Sequence, residues 1–142
     1  IIVRMTQPDN PRSAEKLATN PPPLRSGTDL PIITVLKESY LVWHNFLLHL
    51  PRLTRYTLGT KVDELFINIL EIALSAQYTR RENKRALLEE LSRKMDNLKF
   101  FVTLLWEAKG LDANKYAQLS QKLATAGRML GKWLLSLSDR PQ

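Results

Sequence analysis

Gly127-Arg128-Met129-Leu130-Gly131-Lys132-Trp133-Leu134 lies inside a run whose apolar residues recur in steps of three and four. Those residues are Tyr116, Leu119, Leu123, Ala126, Leu130, Trp133 and Leu137. The spacing is that of one helix face. Two glycines in a helix interior are unusual, because each costs roughly 1 kcal/mol against alanine. Their presence predicts a close approach of another helix at Gly127 and Gly131. The helix-packing motif is read as these two with Arg128, Trp133 and Gly59.

Working outward, three more helical patterns precede this one. The first carries Ile33, Leu36, Tyr40, Trp43, Leu47 and Leu50 and is broken by Pro51, which lacks an amide proton and clashes with the preceding turn. The second opens with Arg55-Tyr56-Thr57-Leu58-Gly59 and continues through Val62, Leu65, Ile69, Ile72 and Ala76. The third carries Leu88, Leu91, Met95, Leu98, Val102 and Leu105. Thr79-Arg80-Arg81-Glu82 is expected to act as its capping box. Gly110 is expected at the position after its end, and Asp112 as the next N-cap.

Each stripe advances seven residues in two turns, the pattern of helices packed at a shallow angle. The connections are short. The predicted fold is all-α, an antiparallel up-down-up-down four-helix bundle over residues 32–142. Six of the eight prolines fall in residues 1–31, including Pro21-Pro22-Pro23. That stretch has no apolar period and is read as a disordered or extended Pro-rich N-terminal tail. Met5 is a candidate start. The stripes are wide, with Val35, Val42, Phe46, Phe66, Leu70, Leu74, Phe100, Phe101 and Leu104 beside the main positions. Such a surplus predicts self-association.

Hydrophobic residues make up 44% of the 142, enough for a core, and cysteine is absent, which excludes disulfides and thiolate metal sites. No apolar run is long enough to span a bilayer, no signal-peptide pattern is seen, and a cytoplasmic location is expected. His44 and His49 are five apart, about 140° around a helix, whereas a two-histidine helical metal site uses a spacing of four. No Glu is followed three residues later by His, and no phosphate loop, dinucleotide fingerprint or nucleophile elbow occurs. No enzyme activity, cofactor or metal is therefore expected.

The formal charge is +7 and the isoelectric point about 9.9, a balance that favours polyanionic partners. Arg80, Arg81, Lys84 and Arg85 crowd the start of the third helix, where cations oppose the helix dipole. An anion there would offset that cost. These four are the leading nucleic-acid-binding candidates, joined by Arg52 and Arg55 and, along the third helix, by Arg93 and Lys94.

Leu53 to Leu74, with its Arg-Tyr-Thr-Leu-Gly opening, resembles the helix after the proline break in the accessory variability determinant (Avd) proteins of diversity-generating retroelements. Residues 127–133 are similar to that family's last-helix signature. The resemblance covers roughly residues 32–138. It implies a ring of five four-helix bundles, a homopentamer with a basic surface, encoded by a prokaryote or phage. It also implies two partners: the retroelement reverse transcriptase and its template RNA, with cDNA as an alternative. Such a protein supports mutagenic cDNA synthesis without polymerising it. Four-helix proteins encoded in ribosomal-RNA intervening sequences share the general pattern. They imply the alternative, a structural oligomer without a reverse transcriptase partner.

Overall fold

The computed structural model describes residues 29–138. Most of the expected tail (residues 1–28) and residues 139–142 lie outside the described residues. Helix α1 spans Pro31–Leu47, with proline at its first position, where the missing amide proton would have had no helical partner anyway. Pro31 thus belongs to the bundle, not to the tail as expected. The two residues before it are anchored as well. The Leu30 amide donates to Gln77 Oε1 at 2.8 Å, and Gln77 Nε2 donates to Asp29 Oδ1 at 3.3 Å.

Beyond Pro51 the chain makes a helical turn, Arg52–Thr54, then a π-turn, Arg55–Gly59, and enters α2, Thr60–Tyr78. The sequence pattern predicted ordinary α-helix through this stretch. The difference lies in the hydrogen bonding. Thr60 Oγ1 reaches back five residues to the Arg55 carbonyl at 3.2 Å, and Thr57 Oγ1 donates to the Leu53 carbonyl at 2.9 Å. Hydroxyls that bond backward in this way compete with the regular helical ladder.

Helix α3 spans Arg81–Glu107 and α4 spans Ala113–Ser138. The expected capping box is absent. Arg80 holds the N-cap position without a side-chain cap, and Thr79 Oγ1 donates backward to the Ser75 carbonyl at 2.7 Å, closing α2. At the other end of α3, Lys109 and not Gly110 takes the left-handed conformation, with φ 69°. The Lys109 amide bonds the Trp106 carbonyl and the Gly110 amide bonds the Leu105 carbonyl, at 2.9 and 2.8 Å. This pair of bonds is a Schellman ending with Gly110 one position later than expected. Asp112 fulfils its expected role, its Oδ1 accepting the Lys115 amide at 2.8 Å.

Helix α1 packs on α2 and α4, and α3 packs on α2 and α4. The result is a four-helix bundle. Its core holds Leu36, Trp43, Val62, Ile69, Leu88, Leu91, Leu98, Leu105, Leu119 and Leu123, all almost fully buried. Each such large side chain contributes about 1.5–3 kcal/mol by leaving water. Phe66, expected among the surplus positions, is core instead. It is fully buried, its ring stacked on Trp43 and edge-on to Tyr40. Where α1 meets α2, Tyr40 Oη and Trp43 Nε1 both donate to Asp63 Oδ1, at 2.9 and 3.1 Å. Burial, followed by the hydrogen bond to Asp63, pushes the Tyr40 phenol above its ordinary pKa.

Candidate nucleic-acid interface

The basic cluster at the start of α3 stands beside the end of α4. Arg81 donates through one guanidinium nitrogen to the Ser136 and Leu137 carbonyls, at 3.2 and 3.0 Å. Arg85 donates to Ser138 Oγ at 2.7 Å and pairs with Glu89 at 3.9 Å. Lys84 lies over the Trp133 ring, 5.7 Å from its centroid. Arg80 is exposed and pairs only loosely with Glu82, at 3.9 Å.

This geometry changes the meaning of the cluster. The last carbonyls of a helix have no internal partner and carry the negative end of its dipole. Arg81 satisfies two of them on α4. The cations that oppose one helix therefore complement the next, and no external anion is needed to explain their placement. Their outer surfaces remain available, because Arg80, Arg81 and Arg85 are all exposed.

The remaining candidates do not join this cluster. Arg52 is exposed on the turn after Pro51, and Arg55 is half-buried, donating to the Leu50 carbonyl at 3.0 Å. Arg55 Nε is buried without a hydrogen-bond partner. This turn abuts Gly110: a Cβ placed there would lie 3.1 Å from Thr54 Cγ2. Gly110 follows the far end of α3, about 40 Å from Arg81 by helical rise. Arg93 and Lys94, adjacent and so about 100° apart around α3, border a shallow depression shared with Glu90 and Asp96. They do not continue one stripe from Arg81.

Charge is nevertheless divided unevenly. Residues 80–138 hold 12 Lys and Arg against 6 Asp and Glu, whereas residues 29–79 hold 4 against 5. The basic excess belongs to α3 and α4.

The packing motif divides in two. Gly59 is buried, and a Cβ there would lie 3.1 Å from Leu50 Cδ1, 3.2 Å from Leu47 Cδ1 and 3.2 Å from the Thr54 carbonyl. At Gly127 a Cβ would meet only the tip of Lys99, and at Gly131 nothing within 4 Å. Among the described residues no helix packs closely on these two glycines, so the expected close contact is not made within the described bundle. They floor an open groove of about 430 Å³ between α3 and α4, with Lys99, Arg128 and Leu134 on its walls. Arg128 donates to Thr125 Oγ1 at 3.2 Å, and Trp133 is half-buried against the core.

No protein-family model, curated protein or solved structure matches this chain. Among the described residues no three His, Asp or Glu side chains gather as metal ligands, and no helix is long and apolar enough to cross a membrane.

From sequence, Trp106 reads with Trp43, Phe100 and Trp133 as a core or interface aromatic and not a base-stacking platform, a reading that misses one feature of the basic half. Trp106 stacks on Tyr116 with centroids 4.4 Å apart and planes 7° apart, yet stays 39% exposed. The ten-residue separation hid this pair, because the loop between α3 and α4 brings it together.

Proposed function

We propose that this chain is an accessory subunit of a diversity-generating retroelement. In this reading it binds the reverse transcriptase and the template RNA and supports mutagenic cDNA synthesis without catalysing it. What supports the reading is the resemblance of residues 53–74 and 127–133 to Avd proteins, on a bundle whose basic excess lies in α3 and α4. The reading includes an up-down-up-down order. Supporting it, the start of α3 meets the end of α4 through Arg81, and the start of α1 meets the end of α2 through Leu30 and Gln77.

It also includes a homopentameric ring. Leu41, Leu48, Ile67, Leu74 and Phe100 are all exposed apolar side chains of a kind that subunit contacts bury. Gly127 and Gly131, open within one chain, would then receive a helix of the next.

The structural-oligomer reading has one observation in its favour. The Arg81 and Arg85 contacts to α4 give the basic cluster an internal purpose. Both readings predict an oligomer, and RNA separates them. Under the first, the purified protein binds template RNA with an affinity that falls steeply with salt, the log–log slope approaching about −0.7 per phosphate contact. It also co-purifies with a reverse transcriptase encoded beside it. A pentamer that bound neither would leave the structural role. A monomer at micromolar concentration by light scattering would overturn the ring.

A further inference from the structure

The cleft beside Trp106 measures about 490 Å³ and is lined by Trp106, Glu107, Lys109, Leu111 and Asp112. Tyr116 covers one face of the indole and does not line the cleft. Trp106 both lines the cleft and stays 39% exposed. Tyr116 is itself fixed, its hydroxyl 3.0 Å from Thr103 Oγ1. The Schellman ending holds the chain on the far side, with Lys109 in the left-handed conformation.

An aromatic plane that is already rigid and partly bare loses little freedom when a second plane stacks on it. Base–aromatic stacking of this kind is the sequence-tolerant element of single-strand binding. The charges decide which part of a nucleotide enters. Glu107 and Asp112 would repel a phosphate inside the cleft. Asp112 commits one oxygen to the Lys115 amide, whereas Glu107 keeps both carboxylate oxygens open and is the acceptor assigned to a base edge. Carboxylates accept from exocyclic amines. Phosphates would meet Lys109, which lines the cleft yet is exposed, and Arg52, exposed at the same end of the bundle.

We propose that the Trp106 cleft is a nucleobase pocket. One unpaired base of a single-stranded nucleic acid stacks on Trp106, its exocyclic amine donates to Glu107, and flanking phosphates meet Lys109 and Arg52. The proposal rests on the nucleic-acid reading above and places a base contact about 40 Å, by helical rise, from the Arg81 cluster.

Fluorescence anisotropy with labelled single-stranded oligocytidine and oligouridine tests it. The wild-type protein binds oligocytidine more tightly than oligouridine, because uracil lacks the amine. Trp106→Ala weakens both by roughly 5- to 150-fold, the range of single stacking losses, and leaves the salt slope unchanged, since stacking releases no counterions. Trp106→Phe restores part of the loss and keeps a ring in place should the alanine variant fold poorly. Glu107→Gln lowers oligocytidine binding toward the oligouridine level.

Wild-type affinity and preference in Trp106→Phe and Glu107→Gln, together with unaltered binding by any folded Trp106→Ala, would overturn the pocket and leave RNA binding elsewhere intact. Loss of RNA binding accompanied by a changed oligomer mass in light scattering would assign Trp106 to a subunit contact instead. A wild-type protein that binds neither oligomer overturns the pocket, and one that also fails to bind template RNA removes the parent reading.

Discussion

At Gly59 and Gly110 a methyl group has no room; at Gly127 and Gly131 it meets a lysine tip and open space. The first two glycines belong to the end of the bundle where the turn after Pro51 meets the turn after α3. The last two lie on the outer surface of α4. Gly59, like Gly127 and Gly131, stands inside a helical run in sequence, whereas Gly110 reads as a helix ending. The difference teaches that a helical glycine signals close approach only where the packing shows the approaching atoms. One pair is explained by packing among the described residues, and the other is not.

Substitutions can break this contrast. The largest effect is expected at Gly110, where a Cβ would fall 2.6 Å from Leu105 Cδ1 on a fully buried side chain. Gly110→Val should destabilise by about 1–3 kcal/mol, the usual range for overpacking, measured by denaturant unfolding. A wild-type midpoint would mean that Leu105 yields freely and the end is loosely packed. Gly59→Leu should cost a similar or slightly smaller amount, about 1–3 kcal/mol, because Leu47, Leu50 and the Thr54 carbonyl all crowd it.

The polar cluster on the inner side of α1 and α2 sharpens the contrast through pH. The folded-state pKa of Tyr40 is raised above 10.0. Its contribution is therefore fully present below pH 10 and is lost as pH rises through the folded value, since the unfolded phenol ionises first. Alkaline unfolding should show this loss. Tyr40→Phe should cost about 1 kcal/mol at neutral pH and flatten the alkaline limb. An identical alkaline limb in the variant would exclude Tyr40 as its source.

On the outer surface the sign reverses. Gly131→Ala should stabilise an isolated subunit by up to about 1 kcal/mol through helix propensity alone. Gly127→Ala should give somewhat less, because Lys99 must shift. If either alanine instead dissociates an oligomer, the open groove is occupied in the assembly.

The four helices were legible because their apolar residues recur with seven-residue phase over about four to six turns. Leu88, Leu91, Met95, Leu98, Val102 and Leu105 all proved to be buried. The ends were less legible. Thr79 fits a capping box as a string, but its hydroxyl found a nearer acceptor behind it. Gly110 was recognised as an ending residue one position out of place, because Lys109 absorbs the strained conformation while Gly110 supplies space. Of the candidate interface, the sequence showed which side chains are cationic. The antiparallel order of the four helical patterns also put Arg52 and Arg55 at one end and the Arg80 cluster at the other. The sequence did not show that Arg81 faces carbonyls fifty-five residues away, because that depends on a tertiary contact that no local pattern encodes.

The π-turn at Arg55–Gly59 works as a phase shifter. One additional residue in a helical turn rotates everything before it by about 100° relative to everything after it. Leu58 and Val62 keep their place against the core, while Leu53 and Tyr56 swing outward, at 76% and 64% exposure. Deleting a single residue here would restore ordinary helix and turn Arg52, Leu53 and Arg55 toward new neighbours, with α2 left undisturbed. A length change of one residue, neutral in composition, would thus redraw the surface at this end of the bundle more thoroughly than most substitutions could.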